Sequence, residues 1–208
     1  MNIGILGAGN MATALGRRFT SKGHQILLSY SRDRAKLEKA ANELGARSGS
    51  PADAARFGDV VLLATGWEGA VSALEEAGSL HGKVVWSIIT PLKGDLSGLA
   101  LGTTTSGSEE LAKLVPGASF IAAWPPFAEV LASPSTRFGG ERQTMFYCGN
   151  DASAKRTCLP LFDVLDVDAV DAGPLYAARF IEPTMLLLVH LAYGQKMGQV
   201  AARLLRRG

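Results

Sequence analysis

Gly7-Ala8-Gly9-Asn10-Met11-Ala12 stands at the junction between a short apolar run, Asn2–Leu6, and a stretch, Asn10–Lys22, with Met11, Ala14, Leu15 and Phe19 at helical spacing. The hexapeptide fits G-x-G-x-x-A, and its place after a strand and before a helix gives that pattern its meaning. Gly7 permits a tight turn, Gly9 lets a pyrophosphate approach the backbone, and Ala12 keeps strand and helix close. The helix N-terminus adds free N–H groups and a positive dipole end, so the junction reads as a dinucleotide phosphate site.

The rest of the chain extends the alternation. Gln25–Ser29 and, weakly, Ala46–Ser48 read as strands, and Arg34–Leu44 as a helix stopped by Gly45. Asp59–Thr65 and Lys83–Ile89 are apolar on both faces, as parallel strands covered by helices on both sides are. A helix over Glu68–Ala77 lies between them, and Ser50-Pro51-Ala52-Asp53 has the composition of a helix start. A loop rich in Gly, Ser and Thr runs from about Pro91 to Thr105 and ends at Ser106-Gly107-Ser108-Glu109, which has capping-box spacing. Further strands are expected at Ser119–Ala123, Thr144–Cys148 and Val167–Val170, with a helix over Asp151–Leu165 between the last two. From Leu175 to Arg206 the spacing predicts one long helix, or two divided at Pro183.

The expected fold is therefore α/β, a doubly wound parallel sheet of Rossmann type with a small C-terminal α/β extension ending in a long helix. Pro125-Pro126 suggests a boundary near Trp124, giving a dinucleotide-binding part over 1–124 and a second part over 125–208 that shapes an acceptor cleft and a dimer interface.

The second strand bears on which dinucleotide is bound. NAD sites carry an acid about 20 residues beyond the first glycine. Here Leu27-Leu28-Ser29-Tyr30-Ser31-Arg32 holds none, and Ser31, Arg32, Arg34 and Lys36 cluster instead. A guanidinium can hold a 2′-phosphate in a bidentate fork, so NADP(H) is expected over NAD(H). Thr65-Gly66-Trp67, Ile88-Ile89-Thr90-Pro91 and Ala123-Trp124-Pro125-Pro126 lie at the carboxyl ends of strands, where ligands bind in such sheets. Thr65, Trp67, Ile89, Ala123 and Trp124 are accordingly expected around the nicotinamide. The loop from Leu92 to Thr105 is expected to lie over a neighbouring strand end.

Other classes drop out. The net charge is +2, which argues against a nucleic-acid binder that works by counter-ion release. Hydrophobic residues make up 47%, too many for a disordered chain. No signal peptide is expected at the N-terminus, and Met185–Tyr193 reads as too short to cross a bilayer. A cytoplasmic protein with no nucleic-acid or membrane partner is the resulting expectation. Cys148 and Cys158 read as two buried thiols, with no metal spacing. His190 reads as a satisfied core histidine, Arg179 and Glu182 as a pair one turn apart, and Arg203, Arg206 and Arg207 as cations at a helix C-terminus. No catalytic acid–base set is identified, which suits hydride transfer, a reaction that depends on positioning two rings.

The opening Ile3-Gly4-Ile5-Leu6-Gly7-Ala8-Gly9-Asn10-Met11-Ala12 resembles that of pyrroline-5-carboxylate reductase. The remainder resembles the NADP-dependent reductases of the deazaflavin coenzyme F420 and their wider relatives, which include the cytoplasmic domain of membrane ferric reductases. The residues that carry it are Ser31-Arg32 with Lys36, Thr103-Thr104-Thr105-Ser106-Gly107, Asp171-Ala172-Gly173-Pro174-Leu175 and Glu182-Pro183. The resemblance implies Gly7, Gly9, Asn10, Met11, Ser31, Arg32 and Lys36 as NADP contacts. It implies a small-molecule hydride acceptor, with coenzyme F420 or a flavin as co-substrate. The chain departs at the hydride site: relatives often carry an asparagine in the segments matching Ile89-Thr90-Pro91 and Ala123-Trp124-Pro125-Pro126, and neither is present here. A non-catalytic NADP(H)-binding module and a reductase of a small imine stand as the alternatives. A homodimer is expected, because Met185-Leu186-Leu187-Leu188-Val189 is apolar on every face of a helix.

Overall fold

A computed structural model of the protein describes residues 1–30 and 33–207. The chain runs β1 (Asn2–Leu6), α1 (Asn10–Thr20), β2 (Gln25–Ser29), α2 (Arg34–Leu44), β3 (Arg47–Ser48), α3 (Pro51–Phe57), β4 (Val60–Leu63), α4 (Trp67–Ala77), β5 (Val84–Ser87) and α5 (Gly107–Leu114). It continues β6 (Ser119–Ala123), α6 (Ala128–Ala132), β7 (Thr144–Gly149), α7 (Ala152–Asp163), β8 (Asp168–Asp171) and α8 (Ala178–Val189), with a 3-10 turn at Leu175–Ala177 and a π-helical turn at His190–Gly194.

One eight-stranded sheet has the order β3-β2-β1-β4-β5-β6-β7-β8. Every pairing is parallel except β6 with β7. The reversal from β2 to β4 on either side of β1 opens the crevice in which doubly wound sheets bind ligands. Strand side chains divide between two cores as their alternation requires. Ile3, Ile5, Val60, Leu62 and Trp86 pack on one face with Leu15, Phe19 and Phe162. Leu6, Val61, Leu63 and Val85 pack on the other with Leu74, Leu111 and Ile181.

Local signals set the boundaries. Ser50 and Asp53 complete a reciprocal capping box at α3, with Pro51 in its first turn. Asp33 caps α2 through the Lys36 amide, and Gly45 in the left-handed region ends it. Ser106 accepts the Glu109 amide at α5, but the Glu109 carboxylate does not return to the Ser106 backbone. It receives the Arg179 guanidinium in two bonds of 2.8 Å instead.

The C-terminal third departs from the sequence reading in several places. Pro183 lies inside α8 without dividing it. The helical path ends at Gly194, not near Arg206, because Gly194, Lys196 at φ 56° and Gly198 at φ 77° turn the chain out of it. The tail then runs back to the sheet, where the Thr144 amide donates to the Ala202 carbonyl at 2.9 Å. Arg203 thus pairs with Glu141 and caps no helix. Arg179 and Glu182 do not pair, because both are drawn to α5: Glu182 accepts the amides of Gly107 and Ser108 at 2.9 and 3.0 Å. His190 is exposed, its Nε2 lying 3.2 Å from Gln195 Nε2, and is no core residue. Leu175–Gly194 forms one helical path of 20 residues, long and apolar enough by length and composition to cross a membrane. Its two charged residues are both bound to α5, so the segment packs on its own protein. It is not buried on all sides: Tyr176, Phe180 and Leu187 are 52%, 67% and 53% exposed along one stripe.

Candidate functional site

The β1–α1 turn is built by backbone constraints. Gly7 has φ 139°, and a Cβ there would lie 2.4 Å from the Ala64 carbonyl oxygen, so only glycine fits against the end of β4. Gly9 caps α1 with no side-chain hydrogen bond, and nothing lies within 4 Å of where its Cβ would be. With no acid in the first turn of α1, the first amides and the dipole face open space beside exposed Asn10. Such a terminus favours an anion.

Beside it lies a cleft of about 410 Å³ at the carboxyl ends of β4, β5 and β6. Met11, Thr65, Trp67, Ile89 and Trp124, all expected from sequence, converge on it. Ala123 does not: it is fully buried and its carbonyl accepts the Trp86 indole N–H at 3.0 Å. Trp124 is only 4% exposed, and its indole N–H donates to the Ile89 carbonyl at 3.2 Å. It is therefore a fixed wall that ties the ends of β5 and β6 together. The long loop does cover the cleft, through Leu92, Lys93, Gly94 and Leu96. Phe127, from the segment before α6, and Met185 and Val189 of α8 complete the wall. The sequence carried no period that placed these three there, because they come from beyond the Pro125-Pro126 break.

The Thr65 hydroxyl is buried at this cleft without a hydrogen-bond partner. A buried polar atom left unpaired is costly and points to a group that arrives with the ligand. The cleft's charged side chains are Glu68 and Lys93, and its lining among the described residues holds no His, Cys or Tyr. Elsewhere, burial pushes the thiols of Cys148 and Cys158 up to about 12, so both are inert. No cluster of three or more His, Cys, Asp or Glu that could hold a metal occurs among the described residues.

A second cavity of about 800 Å³ lies on the β2–β3 side, between α2, the β3–α3 loop and α4, with Tyr30 and Arg34 in its wall. Lys36 sits in the first turn of α2 with its amino group 3.8 Å from the Asp33 carboxylate, outside that wall. Ser31 and Arg32 lie outside the described residues.

A glycine turn at a helix terminus, open at the sheet's reversal point and flanked by a cavity on each side, defines a dinucleotide-binding α/β protein. The bare terminus and the unpaired Thr65 hydroxyl fit NADP(H). A profile of the family "NADP oxidoreductase coenzyme F420-dependent" matches residues 2–91. The chain is 30% identical over 208 residues to the F420-dependent NADP reductase of Methanocaldococcus jannaschii, covering 92% of each. It is 26% identical to rat metalloreductase STEAP3, covering 90% of this chain but 37% of that one. A crystal structure described as a candidate F420-dependent NADP reductase from Arthrobacter sp. FB24 has a TM-score of 0.87 at 24% identity, covering 99% of this chain and 100% of that one. An imine reductase from Streptomyces aurantiacus shares the fold, at a TM-score of 0.66 and 17% identity, with 94% of this chain covered and 65% of that one. The chain belongs to the family of F420-dependent NADP oxidoreductases and is an NADP-dependent oxidoreductase.

Proposed function

We propose that the chain passes hydride between NADP(H) and a flat ring acceptor of the deazaflavin type, held in the cleft at the ends of β4, β5 and β6. The observation that carries this reading is the wall of that cleft. Met11, Ile89, Trp124, Pro125, Phe127 and Met185 present apolar and aromatic surface and no proton-transfer pair. Direct hydride transfer needs two rings held face to face in a water-poor slot, and little else from the protein.

NADPH, when bound, supplies the hydride at its nicotinamide. The protein's part is positional. The α1 amides hold the pyrophosphate, Thr65 offers its hydroxyl to the nicotinamide end, and Trp124 with Pro125 fixes the far wall. Lys93 stands at the mouth of the cleft, where it suits an acceptor that carries negative charge. The exposed stripe Tyr176, Phe180 and Leu187 supports a homodimer in which α8 meets its copy, and a cytoplasmic enzyme fits use of reduced NADP.

Steady-state oxidation of NADPH against the oxidised deazaflavin coenzyme, a free flavin and pyrroline-5-carboxylate tests the proposal. Turnover with the deazaflavin far above the other two is expected. Turnover with the imine alone would replace the reading.

A further inference from the structure

Tyr30 follows β2 and has φ 57°. A bulky side chain in the left-handed region is uncommon and costs free energy that glycine or asparagine would avoid. Such strain persists where the surroundings hold it, and it gathers at ligand sites. Three features give Tyr30 a setting of that kind. It leaves the carboxyl end of β2, next to the glycine turn: the Gly7 amide donates to the Ser29 carbonyl at 2.9 Å. Its ring tip lies against the start of α4, where a Cβ on Gly69 would come within 3.3 Å of Tyr30 Cε1 and Oη. It also forms part of the wall of the 800 Å³ cavity, together with Arg34 and Leu37 of α2 and Ser72 of α4.

We infer that Tyr30 is the residue on which the adenine ring of NADP(H) rests, held in place by its left-handed backbone and by the bare Gly69 beneath its edge. This rests on the NADP-linked reading of the site and adds a positioning residue to it. The cavity lies on the β2 side of the α1 terminus and the 410 Å³ cleft on the β4–β6 side, so a dinucleotide spanning the turn puts its adenosine half in the cavity. Glu38, Asp53, Glu68 and Glu76 line the cavity, and carboxylates give a neutral purine no stacking surface. Tyr30 is the aromatic side chain in its wall. An aromatic face binds any base through its π surface.

Tyr30→Gly suits the test because glycine adopts φ 57° without strain and the variant is expected to fold. Tyr30→Phe keeps the ring. Binding of NADPH, NADH and reduced nicotinamide mononucleotide is measured by calorimetry for each variant. The inference expects Tyr30→Gly to weaken NADPH and NADH by the same factor, about 10-fold. Nicotinamide mononucleotide should bind unchanged, and Tyr30→Phe should stay within about twofold of the wild type for all three. A tyrosine difference spectrum on NADPH binding, absent in Tyr30→Gly, is the accompanying signature. Unchanged NADPH affinity in Tyr30→Gly overturns the inference. So does a loss confined to NADPH, which would mean that the residue acts through the 2′-phosphate site. If the wild type binds neither NADPH nor NADH, the NADP-linked reading itself fails and the inference with it.

Discussion

Glu182, in the middle of α8, accepts both the amide and the hydroxyl of Ser108, at 3.0 and 2.9 Å. Its other oxygen takes the Gly107 amide at 2.9 Å, so one carboxylate from the C-terminal helix caps α5 from a distance in sequence of over seventy residues. Burial raises its pKa above the usual carboxylate range, with the amide bonds opposing. Truncation leaves two buried amides without partners. Glu182→Ala is expected to cost about 2–4 kcal/mol, read as a fall in the urea midpoint at unchanged m-value.

The same carboxylate and its neighbour set opposite pH trends. A native pKa above the unfolded value means that the folded state holds its proton longer. The stability linked to Glu182 is therefore greatest below about pH 4.5 and declines as pH rises through its native value. Glu109 is held low by the Arg179 guanidinium, and its contribution is present above about pH 4.5 and lost on acidification. Glu109→Gln should flatten the acid limb of the stability profile while leaving the limb above it in place. Denaturant melts from pH 3 to 8 check both signs.

Thr65→Val tests the unpaired hydroxyl. The substitution keeps the shape and removes a buried polar atom that has no protein partner. The free protein should be unchanged or more stable by about 1 kcal/mol, while NADP(H) affinity falls about 3- to 10-fold. A loss of stability with unchanged affinity would mean that the hydroxyl has a structural partner.

The preference for NADP(H) rests on residues after β2 whose charges the sequence supplies. Arg32→Ala should weaken NADPH by about 10- to 150-fold, the loss of one charged hydrogen-bond partner of about 1.5–3 kcal/mol, and leave NADH nearly unchanged. Equal affinity of the wild type for the two cofactors would refute it.

Light scattering at micromolar concentration should give twice 21.9 kDa. Phe180→Asp, placed in the exposed stripe of α8, should return the mass to that of one chain without moving NADPH affinity. A monomeric wild type would contradict the homodimer.

The sheet and its crevice were legible because their signals are local. Val60-Val61-Leu62-Leu63 is apolar throughout its short length, as a strand buried on both faces is, and Gly7 has no steric alternative at its turn. What the sequence hid depends on contacts between distant segments. Arg179 and Glu182 stand one turn apart, and pairing them is the local solution. The α5 terminus offers each a better partner, which no spacing within α8 reveals. The short α6 has no period to detect, and Arg18 of α1 closes its end by donating to the carbonyls of Leu131 and Ser133 at 2.8 and 2.6 Å. Nothing in the sequence singles out Tyr30, since a backbone angle leaves no trace in composition.

The antiparallel pairing of β6 and β7 sends the carboxyl ends of β7 and β8 to the edge of the sheet away from the crevice. The last two strands therefore offer no strand-end loops to the ligand. The chain reaches the cleft again only by laying α8 back along the sheet, a path of about 18 Å at helical rise. The two halves of the site are thereby open to change to different degrees. The dinucleotide half depends on a backbone turn in which Gly7 tolerates no replacement. The cleft proposed for the acceptor ends in Met185 and Val189, side chains on a helix surface that can be exchanged without disturbing a strand. A library varied at these two positions should yield enzymes with new acceptors that bind NADP(H) as before.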